Sequence, residues 1–249
     1  MVNLTGKTAL VTGGASGIGL ATVRKLSEQG AMVAVNYLPG DEAAASVVEG
    51  LRSEGLHLVH APGDVSEYAA VKEMVEKACE SLGGLDMLVN NAARGTVRPI
   101  PFEELDEMTE DVWQGILATN LMGPFSCARV AAPELKKRSG AIVNMASVAG
   151  LGVRGSSIAY AASKAALINL TTSLSRALSP DVRVNAVAPA LVETPWISTW
   201  PEERKQRTKE QCLMGRIAQP SDVADVVMFL LTGTSYVNGQ TIVVDGGRV

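Results

Sequence analysis

The sequence predicts an α/β protein, a single domain with a doubly wound parallel sheet and helices on both faces, over residues 1–249. Short β-rich segments alternate with helix-patterned segments along the whole chain, as crossover connections between parallel strands require. Strand segments such as ALVT and MLVN are continuously apolar up to their last residue, which indicates burial on both faces of the sheet. No linker, repeat or low-complexity tract separates them, so we expect one domain.

The elements follow in order from the first glycine-rich turn. KTALVTGG reads as a strand that ends in glycines, and SGIGLATVRKLSEQG has helical spacing and closes at Gly30. The pattern then repeats as strand AMVAVNYL, helix DEAAASVVEGLRSEG, strand LHLVHA, helix EYAAVKEMVEKACESLG, strand LDMLVNNAA, a long helix from about Asp111, strand GAIVNMAS, a helix carrying Tyr160, strand VRVNAVAP, helix SDVADVVMFLL and strand QTIVVDGG. Ligands of such sheets bind beyond the carboxyl ends of the strands, where the strand order reverses.

Glycines at positions 13, 17 and 19 lie between the first strand and the first helix. Glycine there permits a tight turn and a close backbone approach to a diphosphate, which the free N–H groups of the helix N-terminus would bind. A tight turn without a ligand is the alternative. The spacing differs from G-x-G-x-x-G, because three residues separate Gly13 from Gly17.

A phenol and an ammonium lie four positions apart, as Tyr160 and Lys164, in the alanine-rich run SIAYAASKAALINL. On a helix these side chains share a face. A nearby cation favours the phenolate and would lower the tyrosine pKa. An aromatic core residue followed by a solvated lysine is the alternative that the pair alone leaves open.

Composition narrows the class of partner. The formal charge of −4 and the pI near 5.3 disfavour nucleic acid and anionic membrane, so a small-molecule substrate is expected. The cysteines are widely spaced and lack zinc-site spacing, and His57 and His60 read as incidental surface residues, so no metal is expected. Neither a signal-like N-terminal segment nor a bilayer-length apolar run is present, and we expect a cytoplasmic protein.

Several motifs in register resemble the short-chain dehydrogenases/reductases, in particular members like 3-oxoacyl-carrier-protein reductase. The likeness covers nearly the whole chain and keeps the family's order and spacing. It is carried by Thr12-Gly13-x-x-x-Gly17-x-Gly19, Asn90-Asn91-Ala92, Asn120, Ser147, Tyr160-x-x-x-Lys164 and the segments VRVNAVAP and VVDGG. The resemblance implies a Rossmann-type fold that transfers hydride between NAD(P) and a carbonyl or alcohol carbon.

The resemblance also implies catalytic roles. Tyr160 would be the acid that protonates the carbonyl oxygen during reduction, and Ser147 would donate a hydrogen bond to the same oxygen. Lys164 would lower the Tyr160 pKa and hold the nicotinamide ribose. Asn120 would help to hold a water in the proton relay, because Pro124 lacks the N–H that would bond to the Asn120 carbonyl. A simple Gly-Pro kink is the alternative reading of Asn120.

The implied nucleotide contacts favour NADP(H), with NAD(H) possible. The second strand ends in Asn36 and Tyr37, whose amide and phenol can donate to the oxygens of a 2′-phosphate, whereas an acidic residue there would repel it. No basic residue stands at positions 36 to 39. Replacing Asn36 by aspartate should therefore shift the preference toward NADH. The full set of expected cofactor contacts is Gly13, Ser16, Gly17, Ile18, Gly19, Asn36, Tyr37, Asp64, Val65, Asn91, Tyr160, Lys164, Pro189, Val192 and Thr194.

The segment from about 191 to 215 combines tryptophan and methionine residues with a charged run, which reads as a mobile substrate lid. We interpret its charged run as a solvated helix face rather than an anion site. Small residues on the Tyr160 helix allow close helix approach, and the resemblance implies a homotetramer assembled through that helix, its long predecessor and the last strand.

Three functions are compatible with parts of this sequence. The first is an NADPH-linked reductase of keto or 3-oxoacyl compounds, and the second is an NAD-dependent alcohol or sugar dehydrogenase with the same residues. The third is a non-catalytic dinucleotide-binding module, which would not need the tyrosine acid. A methyltransferase would also use a glycine loop, but it has no use for Tyr160 and Lys164.

Overall fold

The alternating segments form a parallel sheet in the computed structural model, which describes residues 2–248. Within these residues the sheet has seven strands in the order β3-β2-β1-β4-β5-β6-β7, all parallel. The strands are β1 (Thr8–Val11), β2 (Met32–Tyr37), β3 (Leu58–Pro62), β4 (Met87–Asn90), β5 (Ala141–Met145), β6 (Arg183–Pro189) and β7 (Thr241–Val244). The order reverses between β1 and β4, which confirms the predicted doubly wound fold and places a ligand crevice at their carboxyl ends.

Helices cover both faces of the sheet. They are α1 (Gly17–Glu28), α2 (Glu42–Ser53), α3 (Tyr68–Leu82), α4 (Glu110–Leu117), α5 (Gly123–Lys137), α6 (Ile158–Leu178), α7 (Glu202–Glu210) and α8 (Pro220–Met228). On one face Val23, Val48 and Val227 bring α1, α2 and α8 into a single apolar core. On the other face α3, α5 and α6 form a second core. Both cores contain fully buried strand residues, which explains why the strands are apolar on both sides.

The predicted long helix from about Asp111 is interrupted. Helix α4 ends at Leu117, a π-helical turn spans Ala118–Met122, and α5 starts at Gly123. The Gly123 N–H donates to the Ala118 carbonyl, five residues back. Pro124 has no N–H and its ring widens the preceding turn, so the interruption falls at the position where the proline requires it.

A chain of buried side chains aligns the central strands with α6. The Asn90 amide on β4 donates to Asn144 Oδ1 on β5 at 2.8 Å, and the Asn144 amide donates to Thr171 Oγ1 on α6 at 3.0 Å. Because such bonds are strong in a dry interior, they fix the position of α6 over the sheet. Helix α6 carries Tyr160, so this network also positions the phenol.

Among residues 2–248, no helix is long and apolar enough to cross a lipid bilayer.

Candidate active site

The loop after β1 has the backbone geometry that a diphosphate requires. Gly13 and Gly17 adopt positive φ angles of 59° and 51°. A Cβ on Gly19 would lie 2.2 Å from the Gly13 carbonyl oxygen, so only glycine fits there. The loop delivers the chain to the N-terminus of α1, where free N–H groups and the helix dipole favour an anion. The tight cradle therefore fits the diphosphate of a dinucleotide.

Thr12 and Asn91 tie this loop to the end of β4. The Thr12 hydroxyl oxygen accepts the N–H groups of Asn91 and Ala92 at 2.9 and 3.0 Å. The Asn91 amide donates to the carbonyls of Thr12 and Gly13, each at 3.0 Å. These bonds hold the glycine loop against the end of β4, directly beside the switch in strand order.

A cleft of about 1320 Å³ lies along the carboxyl ends of the strands. Single-ligand pockets usually measure about 300–1,000 Å³, so this cleft has room for a dinucleotide and a small second ligand. The structure brings together along its wall most of the residues that the sequence predicted, namely Gly13, Ser16, Gly17, Ile18, Asn36, Tyr37, Asp64, Val65, Asn91, Ser147, Tyr160, Lys164, Pro189, Val192 and Thr194.

Ser147, Tyr160 and Lys164 meet in the middle of the cleft. Ser147 lies two residues after the end of β5 and caps the following 3₁₀ turn, and Ser157 caps α6 by accepting the Tyr160 N–H at 3.1 Å. The Lys164 ammonium lies 5.6 Å from the centroid of the Tyr160 ring and donates to the Met145 carbonyl at 2.6 Å. Lys164 is only 2% exposed, so the alternative of a solvated lysine is wrong.

Burial controls the protonation of this pair. It raises the pKa of Tyr160 to about 12, and the hydrogen bond from Ser147 acts in the opposite direction without cancelling it. It lowers the pKa of Lys164 to about 7. The expected lowering of the Tyr160 pKa by Lys164 is therefore not found, because desolvation by burial is the largest influence on both groups.

Asn120 lies behind the other three residues. Its side chain is fully buried and pairs with the Arg94 backbone, accepting the N–H at 2.7 Å and donating to the carbonyl at 2.9 Å. Its amide also donates to Ser163 Oγ at 3.0 Å. Among the described residues the cleft wall includes Thr119 but not Asn120. The side chain thus links the loop after β4 to α6, and a role for its carbonyl in holding a water stays a prediction.

The Asn36 side chain points away from the expected phosphate position. Its amide donates to the Ala61 and Gly63 carbonyls at 3.0 and 2.9 Å, and its Oδ1 accepts the Gly13 N–H at 3.2 Å. The residue is only 2% exposed. The expectation that this amide donates to a 2′-phosphate is therefore corrected, because its donors are used to hold the glycine loop against β2 and β3.

Tyr37 is held by residues outside the predicted site, His60 and, through it, Glu49. Its hydroxyl lies 2.7 Å from His60 Nδ1, and His60 Nε2 lies 2.6 Å from Glu49 Oε1. Burial and then the charges of Glu49 and Asp41 raise the pKa of Tyr37. His60 thus positions Tyr37, which lines the cleft. The sequence signal for this contact was the position of His60 in the strand that follows the strand of Tyr37.

The predicted lid crosses both halves of the cleft. The Thr194 methyl group lies 3.1 Å from where a Cβ on Gly17 would be, so the segment starts against the glycine loop. Trp196 then lies 6.3 Å from the Tyr160 ring, measured between centroids. Further on, Arg204 stacks on Trp200 at 4.2 Å and donates to the Gly155 carbonyl at 3.0 Å. The interpretation of the charged run as a solvated face is therefore wrong for Arg204.

Comparisons with known proteins agree with this geometry. A family model described as enoyl-(acyl carrier protein) reductase matches residues 13–248. The chain is 38% identical over 244 residues to the 3-oxoacyl-(acyl-carrier-protein) reductase FabG of Staphylococcus aureus, covering 97% of both chains. It is 36% identical over 246 residues to the meso-2,3-butanediol dehydrogenase of Serratia marcescens, covering 97% of this chain and 94% of that protein.

A solved structure gives the same architecture. A gluconate 5-dehydrogenase from Burkholderia cenocepacia J2315, in complex with NADP and tartrate, aligns with a TM-score of 0.89 at 32% identity. The alignment covers 98% of this chain and 96% of that one. The match therefore extends over the sheet, the glycine loop and the lid. The chain belongs to the short-chain dehydrogenase/reductase family and is an NAD(P)-dependent oxidoreductase.

Proposed function

We propose that the protein reduces the carbonyl group of a small keto or 3-oxoacyl compound to a secondary alcohol, with NADPH preferred over NADH. The observation that carries this proposal is the meeting of Ser147, Tyr160 and Lys164 in one cleft with the glycine loop. When bound, the nicotinamide supplies the hydride. Tyr160, Ser147 and Lys164 are its proposed catalytic residues.

The protonation state of Tyr160 supports the reducing direction. With a pKa of about 12 the phenol keeps its proton at neutral pH and is available as an acid. Negative charge grows on the carbonyl oxygen as hydride arrives, so donors aimed at that oxygen stabilise the transition state most. Tyr160 delivers the proton to this oxygen, and the Ser147 hydroxyl orients it by a hydrogen bond. The Lys164 amine lies 5.6 Å from the centroid of the Tyr160 ring and would hold the ribose hydroxyls.

The nucleotide end of the cleft supports a modest preference for NADPH. Tyr37 at the end of β2 presents a phenol where an acidic residue would select NADH. Arg24 on α1 also lines this end, but its guanidinium binds both carboxylate oxygens of Glu54, at 2.7 and 3.2 Å. Asp41, which caps α2, adds negative charge nearby. Ser16, Tyr37 and Leu38 then frame the phosphate, without the contact from the Asn36 amide that the sequence suggested.

The second candidate is an alcohol or sugar dehydrogenase working in the oxidative direction. It is favoured by the relatives named as butanediol and gluconate dehydrogenases, whereas the FabG relative favours a 3-oxoacyl substrate. The oxidative direction needs the phenolate of Tyr160 as a base. The raised pKa of Tyr160 works against this state.

A substrate panel tests the proposal. Ketones, 3-oxoacyl thioesters and secondary alcohols would each be assayed with NADPH or NADH, or with the oxidised forms for the alcohols, by the absorbance of the reduced nicotinamide. We expect the protein to reduce ketones or 3-oxoacyl thioesters, with a kcat/KM that is higher with NADPH than with NADH by a modest factor. A kcat/KM at least tenfold higher with NADH, or turnover confined to alcohols, would contradict the proposal. The Tyr160→Phe variant serves as the inactive reference.

A further inference from the structure

Arg204 turns from α7 into the cleft beside the proposed catalytic tyrosine. It is half-buried, its guanidinium lies over the Trp200 ring, and it donates to the Gly155 carbonyl. Gly155 also adjoins Tyr160, because a Cβ there would be 3.4 Å from Tyr160 Cδ1. Gly155 thus adjoins both the guanidinium and the phenol ring, so Arg204 lies at the same end of the cleft as Tyr160.

The positive charge at the end of the cleft that contains Arg204 is only partly neutralised. Arg154 and Arg248 also line the cleft, and Arg154 binds Glu103 at 2.9 Å. Arg248 donates to the neutral Gln211 amide oxygen at 3.1 Å. Within residues 2–248, neither Arg204 nor Arg248 forms an ion pair with a carboxylate. The pKa of Arg204 is lowered by burial and then by the charges of Arg154 and Arg248, so these cations lie close enough to repel.

The carboxylates that line the cleft lie elsewhere or point outward. Asp41 caps α2 and Asp64 accepts hydrogen bonds from Ser66, both at the nucleotide end. Glu193 is exposed. Half-buried guanidinium groups without a facing carboxylate are costly, and an anionic ligand that forms charge-assisted bonds with them would offset this cost.

A second, independent feature lies next to Arg204 in the cleft wall. The Ser156 hydroxyl is buried and, among the described residues, has no hydrogen-bond partner, although the residue is only 5% exposed. Its backbone carbonyl is fixed by the Ile100 N–H at 2.8 Å, so the residue is held in place. Buried hydroxyl groups nearly always have a partner. A ligand oxygen at this end of the cleft would provide one.

We infer that the substrate is a small carbonyl compound bearing an anionic group, a carboxylate or a phosphate, which binds Arg204 with help from Ser156 and Arg248. This inference rests on the proposed carbonyl reduction and names its substrate class. The Trp200 ring holds the guanidinium plane, so Arg204 presents its free N–H groups as a fork that matches a carboxylate or phosphate. The carbonyl then falls between Ser147 and Tyr160.

Matched substrate pairs test the inference. 4-Oxopentanoate would be compared with its methyl ester, and dihydroxyacetone phosphate with dihydroxyacetone, using wild-type protein, Arg204→Gln, Arg204→Lys and the control Arg207→Gln. Arg207 is exposed on the same helix and does not line the cleft among the described residues. Wild type should favour at least one anion over its neutral partner by about tenfold or more in kcat/KM, the scale of a charge-assisted bond. The pair that shows this ratio identifies the anion.

The variants separate binding from folding. Arg204→Gln should bring that ratio near one because kcat/KM falls more for the anion than for its neutral partner, Arg204→Lys should restore part of the ratio, and Arg207→Gln should leave it unchanged. Equal losses for anion and neutral partner, or a wild-type ratio near one, would overturn the inference while leaving carbonyl reduction intact. Melting temperatures show whether a variant is folded.

A direct binding measurement keeps the two proposals distinguishable. Calorimetric titration of the NADP-loaded protein with 4-oxopentanoate and with dihydroxyacetone phosphate should give binding to wild type and not to Arg204→Gln. If neither is reduced but this difference is seen, the anion site stands and the proposed reaction fails. If wild type and Arg204→Gln bind equally, the anion site fails.

Discussion

Lys164→Met should change how the stability of the nucleotide-free protein depends on pH. Burial lowers the pKa of Lys164 from 10.5 to about 7 in the folded state. Between these values the unfolded chain binds a proton that the folded protein lacks, so wild-type stability rises as pH increases. Below about pH 7 both states are protonated, and the contribution of this group becomes constant.

The size of the effect follows from the same two values. From pH 7 to pH 9 the wild type should gain about 2 kcal/mol of unfolding free energy relative to the variant, because each full unit of pH in this window contributes about 1.4 kcal/mol and pH 7 is half-way through the titration. For a chain of this size that is a relative rise in Tm of about 4–8 °C. The variant also loses the hydrogen bond that Lys164 donates to the Met145 carbonyl. This loss lowers the unfolding free energy by the same amount at every pH, so it does not change the pH dependence.

Urea denaturation at pH 7, 8 and 9 measures the difference, with Lys72→Met as a matched control. Lys72 is an exposed lysine on α3, more than half of whose side chain is accessible, and its removal should leave the slope unchanged. The window stops at pH 9 to stay clear of tyrosine titration in the unfolded chain. Parallel curves for wild type and Lys164→Met would refute the reasoning, since they would mean that Lys164 stays charged in the folded protein throughout.

Three other changes give direct tests. Tyr160→Phe should lower turnover by about 100-fold or more while NADPH affinity, measured by fluorescence titration, is retained, because a general acid is lost; near-normal turnover would exclude Tyr160 as the acid. Asn36→Asp places a carboxylate against the Ala61 and Gly63 carbonyls and should lower the unfolding free energy, measured by a thermal melt, by about 1–3 kcal/mol. An unchanged Tm combined with a shift toward NADH would instead support the predicted role of Asn36 in cofactor selection. Light scattering should give about four times the 26.1 kDa chain mass, and Phe125→Glu on the exposed face of α5 should lower it; a wild-type monomer at micromolar concentration would contradict the tetramer.

The fold was predictable because its signals are local and repeated. Strands buried on both faces must be apolar throughout, and crossover helices must separate them, so the alternation itself indicates the parallel sheet. The break at Pro124 was predictable for the same reason, since a missing N–H acts on its own turn. The π-helical form of that turn was not, because it depends on how α4 and α5 pack against α6.

The directions of polar side chains were harder to predict. Asn36 is the penultimate residue of β2, and the sequence does not show that three backbone groups would bond to its side-chain amide. The run around Arg204 is charged on all sides of α7, so no pattern distinguishes the residue that faces inward. Trp200, four residues earlier in the chain, was the available signal that Arg204 faces inward, since an aromatic ring and a guanidinium at this spacing can stack. The spacing of Tyr160 and Lys164 likewise gives proximity but not burial, and burial decides the direction of both pKa shifts.

The acidic composition and the cationic end of the cleft are compatible, because they act over different distances. A net charge of −4 sets the field far from the surface, which discourages polyanions that must contact many sites at once. At physiological salt this field is screened within about 8 Å, whereas groups inside a cleft are screened much less. A small anion that reaches the cleft therefore responds mainly to Arg204 and Arg248. The carboxylates of Asp41 and Asp64, at the other end, already accept backbone N–H groups. Composition thus argues against a nucleic-acid partner without arguing against an anionic substrate, and only the placement of a few side chains separates these two cases.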